Sequence, residues 1–93
     1  MRSRTFVISI GTSFTLVLPP NPNRVAVIFG TTSQAQIVSV TQDSVNNAQG
    51  GYLMNSAAPV LRFRYDDLGD NITLSWYANA GSTSNINVTE LST

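Results

Sequence analysis

The sequence predicts an all-β protein: a single small antiparallel β-sandwich or barrel of about seven or eight strands, spanning residues 1–93 as one domain. Three observations carry this. Apolar and polar residues alternate with period two in most segments, as in strands with one dry and one wet face. Turn-forming Gly, Asn, Pro and Asp clusters separate those segments at short intervals. No segment shows a sustained helical period, and no internal repeat is present.

The first segment, 4–10, puts Phe6, Ile8 and Ile10 on one face and Thr5, Val7 and Ser9 on the other. Gly11 permits a bend. In 12–18, Phe14, Leu16 and Leu18 share a face, so the two segments predict either a hairpin or one long strand kinked at Gly11. Pro19, Pro20 and Pro22 then remove backbone donors and fix φ, which stops any ladder. Asn21 and Asn23 suit a tight turn, because their amides bond locally. The turn enters Val25-Ala26-Val27-Ile28-Phe29, an uninterrupted apolar run that predicts a central strand buried on both faces. Arg24, at its start, is expected to bond the nearby turn carbonyls and to serve structure.

Residues 34–41 predict a strand with Val38 and Val40 on one side, Ala35 and Ile37 on the other. From 42 to 59 the periodicity lapses, apart from a short strand at Tyr52-Leu53-Met54. A stretch this long without regular structure is uncommon in a compact domain unless it has a function. Val60 to Tyr65 alternates again, with Leu61, Phe63 and Tyr65 opposed to Arg62 and Arg64. Asp66-Asp67-Leu68-Gly69-Asp70 reads as a turn. Ile72, Leu74, Trp76 and Ala78 predict one face of the next strand, and Ile86 and Val88 the inner face of the last. The expected core is Phe6, Phe14, Val27, Phe29, Phe63, Leu74 and Trp76, while Tyr52 and Tyr77 are expected to be exposed.

Composition limits the chemistry. Charged residues make up 11% of the 93 residues, the net charge is zero, and Lys, His and Cys are absent. Without those three, the usual general base and the Cys–His and Ser–Lys nucleophile pairs are missing. The ordinary ligands of a transition metal are missing too. Asp66, Asp67 and Asp70 invite a hard-cation reading through oxygen ligands, but their spacing is not that of a Ca²⁺ loop. A balanced charge gives no general field for nucleic acid or an anionic membrane. It also leaves little repulsion between copies, which permits a homo-oligomer. The opening Met1-Arg2-Ser3-Arg4 and the apolar run after it are too short and polar for a signal peptide. No enzyme activity and no cofactor is expected.

Candidate binding residues remain. Arg62 and Arg64 project to one face of a strand, where they either pair with acids of the same chain or stay solvated, or else form a small basic stripe for acidic groups on a partner. Arg2 and Arg4 form a basic tip that could anchor the chain or be disordered. Tyr52, Leu53 and Met54 supply the aromatic and Met side chains enriched at interface cores; the 42–59 segment around them, together with Met1 to Arg4, is expected to order on a partner and to carry docking more than a charged face does. Asn71-Ile72-Thr73 and Asn87-Val88-Thr89 match a glycosylation acceptor pattern, which an Asn- and Thr-rich chain produces by chance.

The passage Leu18-Pro19-Pro20-Asn21-Pro22-Asn23-Arg24-Val25-Ala26-Val27-Ile28-Phe29 resembles a stretch of small all-β virion proteins of tailed bacteriophages. There a Pro/Asn turn leads through Arg into an apolar strand, and Gly/Asn/Ser-rich hairpins follow. The ending, Ile72 to Thr89, is similar in style. The resemblance covers about a third of the chain. It implies a virion structural component without enzymatic activity, such as a capsid decoration or head–tail accessory protein, partnered by the major capsid or another virion protein. The alternative is a small binding module, for carbohydrate, on a phage tail or fibre.

Overall fold

The computed structural model describes residues 1–31, 37–42, 52–55 and 58–93. Eight strands among these build two packed four-stranded sheets, every pair antiparallel. The strands are β1 (Arg2–Ile10), β2 (Thr15–Leu18), β3 (Arg24–Thr31), β4 (Val38–Thr41), β5 (Tyr52–Met54), β6 (Val60–Arg64), β7 (Trp76–Ala80) and β8 (Ser84–Ser92). One sheet runs β1-β8-β3-β6 and the other β2-β7-β4-β5. The fold is the small all-β sandwich that the alternation predicts.

The chain crosses between sheets repeatedly, so β1 and β2 are neither a hairpin nor one strand. β1 pairs with β8 and β2 with β7. The crossing at Gly11 is tied down by its carbonyl, which accepts the Ala80 N–H at 2.9 Å. β1 begins at Arg2, opposite Ser92, so the basic tip is strand and not a loose arm.

The core lies between the sheets. Trp76 is fully buried, 5.1 Å from Phe63 and 5.2 Å from Phe29 between ring centroids. Val27, Val38, Val40, Met54, Ile86 and Val88 complete the layer. The Trp76 indole Nε1 is buried without a hydrogen-bond acceptor among the described residues, a cost that the aromatic packing offsets.

Several expectations need correction. Leu74 is 49% exposed, because the segment before β7 is not strand. Tyr65–Leu68 forms a single α-helical turn (α1), and Gly69–Thr73 a 3-10 turn that buries Ile72 instead. A local Asp-rich helical turn thus replaces the simple reversal. Gly69 makes it possible, with φ of 60° that residues carrying a Cβ rarely adopt. Leu16 is exposed while Val17 and Leu18 are buried, since a register shift between Leu16 and Leu18 breaks the period. Phe6 and Phe14 are half-buried, as is Tyr77. Met54 is fully buried. Finally, β3 is fully buried on one face, where Val27 and Phe29 are in the core, and only partly on the other, where Ala26 is buried but Val25 and Ile28 are half-buried.

Candidate functional site

The most polar interior point is structural. Arg24 is wholly buried, at the first position of β3. Its Nε and Nη2 each lie 2.8 Å from Glu90 Oε2. Nη1 donates to the carbonyls of Ile72 at 3.1 Å and Leu74 at 2.8 Å, and Nη2 donates to that of Pro19 at 2.6 Å. Asn21 Nδ2 reaches the same carboxylate oxygen at 3.3 Å, and the Asn21 side chain also accepts the Asn23 N–H at 3.0 Å. One guanidinium therefore joins the Pro turn, the 3-10 turn and β8. The role expected for Arg24 holds. Glu90 was missed, although it follows Ile86 and Val88 in phase on the inner face of β8. A carboxylate at such a position needs a buried cation.

The outer face of the β1-β8-β3-β6 sheet is built differently. Register sets Arg64 beside Ala26 and Leu91, and Arg62 beside Ile28 and Thr89. The result is a groove of about 450 Å³ whose lining includes Ala26, Ile28, Leu91, Arg62, Arg64 and Asp67. A second depression, with Met1, Val25, Tyr65 and Asp66, shares Ala26, Arg64 and Leu91 with it. Arg64 is loosely held, 4.0 Å from Asp67 through Nε. Asp67 also accepts the Arg64 backbone N–H at 3.0 Å, fastening the start of α1. Arg62 is exposed and makes no hydrogen bond or ion pair among the described residues. Two guanidinium groups over an aliphatic floor can take carboxylates flanked by apolar side chains. The floor residues were missed because the apolar run of β3 reads as doubly buried. Leu91, out of phase with Ile86 and Val88, was the available sign of an apolar outer face.

The other candidates do not join this surface. Arg4 lies 3.5 Å from Glu90 and its guanidinium stands over the Phe6 ring at 5.1 Å. With Arg2 it lines a depression at the open end of β1 and β8. Met54, proposed above as a contact residue, points into the core, because it is in register with Val38. Tyr52 lies on the same side and packs its ring on Phe63 at 4.6 Å. Leu53 faces outward on the opposite sheet, beside Ile37, Ser39 and Asn79. Three consecutive strand residues cannot share one surface. The rest of the 42–59 segment, apart from 42, 52–55 and 58–59, falls outside the described residues, as do 32–36.

Tyr65, exposed on α1, donates from its hydroxyl to Asp70 Oδ1 at 3.1 Å. That hydrogen bond and the neighbouring negative charge raise its pKa above the usual phenol value. Among the described residues, Asp66, Asp67 and Asp70 do not converge on a point that could hold a metal ion. No described helix is long and apolar enough to cross a membrane.

The chain matches no protein-family model, no curated protein and no solved structure.

Proposed function

We propose that the chain is a non-enzymatic virion structural protein, a decoration-type subunit that docks on a phage capsid lattice. The docking surface is the Arg62/Arg64 groove, and its occupant is an acidic segment of the major capsid protein. One observation carries the assignment of the surface. Arg62 and Arg64 project from the same strand over Ala26, Ile28 and Leu91, and Arg62 has no partner of its own among the described residues. A chain with so few charges gains little from long-range steering. An exposed cation pair above an apolar strip is therefore where its charge counts. The virion itself is suggested by the resemblance of the Pro/Asn turn and the strand after it.

A carbohydrate module has less support. Sugar binding favours exposed rings around one concavity, whereas Tyr52 is occupied by Phe63, Tyr65 by Asp70, and Tyr77 lies half-buried on the other sheet. The test is co-sedimentation of purified protein with phage particles. Binding that saturates at a fixed number of copies per particle supports the proposal. Protein that stays in the supernatant at every ratio overturns it.

A further inference from the structure

Two open antiparallel sheets have four edge strands, which among the described residues are β1, β6, β2 and β5. Each presents backbone N–H and C=O groups that invite another strand. Three of them are blunted. β2 has four residues, a register shift and Pro19-Pro20 directly after it. β5 has three residues. β6 has five, and carries Arg62 and Arg64.

β1 is not blunted. Its nine residues pair with β8 from Arg2↔Ser92 to Ile10↔Ser84 without a shift. Thr5 to Ile10 contains no charge, no proline and no glycine. Val7 is 62% exposed on the outer face, and Phe6 and Ile8 are only partly covered on the inner one. Both cations stand at one end of the strand, and Arg4 is already engaged by Glu90.

We infer that β1 is a homotypic docking edge, where a second copy of the chain adds its own β1 antiparallel about a two-fold axis at Val7. This goes beyond the capsid reading and does not rest on it. The strand is self-complementary in that register. Val7 faces Val7, Phe6 of one copy faces Ile8 of the other, and Thr5 faces Ser9. The aliphatic and aromatic pairs continue the inner layer, and the hydroxyl pairs continue the outer face. Charge also favours it. The two Arg4 residues fall about 20 Å apart at opposite ends of the pairing, and zero net charge adds no repulsion between copies. The product is one continuous eight-stranded sheet, closed by its symmetry.

Sedimentation velocity of the full chain over a range of micromolar concentrations tests this, together with two variants. The wild type should shift to twice the chain mass as concentration rises. Val7→Lys places like charges across the axis and should stay monomeric, with the melting temperature that the wild type shows at dilutions where it is itself monomeric. The chain has no cysteine, so Val7→Cys introduces a single thiol beside its symmetry mate. It should oxidise to a covalent dimer at least tenfold faster than Thr83→Cys, placed in the exposed turn before β8. A wild type that remains monomeric overturns the inference. So does a dimer that survives Val7→Lys, or equal cross-linking of the two cysteine variants.

Discussion

Arg24 and Glu90 stand 66 residues apart in the chain and meet inside the fold, with the Arg24 Nε donating to Glu90 Oε2 at 2.8 Å. The pair joins the first residue of β3 to the inner face of β8. The three carbonyls that Arg24 also serves belong to Pro19, Ile72 and Leu74. Two irregular segments that lack ladder partners are thus held by one side chain. Removing either partner leaves a buried charge uncompensated, which costs about 3–5 kcal/mol. Arg24→Met and Glu90→Gln should both lower the urea midpoint by a large fraction of its value. Arg24→Lys should rescue little, since an ammonium cannot reach four acceptors in a planar fork. A Lys variant with wild-type stability would contradict this role.

Trp76 and Leu74 provide a paired test of the strand boundary. Trp76→Ala should cost about 3–5 kcal/mol, through lost aromatic burial and the cavity left beside Phe29 and Phe63. Leu74→Ser should change stability by less than about 0.5 kcal/mol, because that side chain faces solvent. Equal costs in thermal melts would show that strand β7 begins earlier than Trp76.

Gly69 tests the helical turn. Its backbone lies at φ 60° and ψ −141°, a region essentially reserved for glycine. No atom of the described residues would crowd an added Cβ, so the penalty of Gly69→Ala is conformational. It should amount to about 1–3 kcal/mol, visible in a denaturant melt. An unchanged midpoint would mean that the α1-to-3-10 junction has another shape.

The Tyr65–Asp70 contact predicts a pH response. The folded pKa of Tyr65 is raised above the unfolded value of 10.0. The contact's stabilisation is therefore complete below the unfolded pKa and is lost as pH rises through the folded one. In a variant with Tyr52 and Tyr77 replaced by Phe, ultraviolet absorbance should show the remaining phenol ionising late. Asp70→Asn should bring its transition earlier. An unshifted titration in Asp70→Asn would show that the hydrogen bond is not formed in solution.

The strands were legible where one face is dry and the other wet. β1 and β8 alternate cleanly because each has an inner row, such as Ile86 and Val88, against an outer row of Asn85, Asn87 and Thr89. The reading failed where a period of two continues by coincidence. Ile72, Leu74 and Trp76 alternate in sequence, yet the first lies in a 3-10 turn and is buried by tertiary packing, not by strand register. Leu16 failed because one irregularity turns its side chain to the other face. At the groove on β6, Arg62 and Arg64 were legible from their spacing. The floor of Ala26, Ile28 and Leu91 depends on which strands become neighbours, and pairing of distant strands is not written in local periodicity. The Arg24–Glu90 pair is long-range in the same sense.

The most direct measurement is competitive co-sedimentation with phage particles, comparing the wild type, Arg62→Glu/Arg64→Glu and Arg2→Glu/Arg4→Glu. Both variants reverse the same number of charges, so a nonspecific charge effect would weaken them alike. Each variant's melt identifies any loss of fold. A docking groove on β6 predicts that the Arg62/Arg64 variant loses at least tenfold in affinity while keeping its fold, because each charge-assisted contact contributes roughly 1.5–3 kcal/mol. The Arg2/Arg4 variant should retain binding. Undiminished binding by the folded Arg62/Arg64 variant would contradict the assignment of that groove as the docking surface.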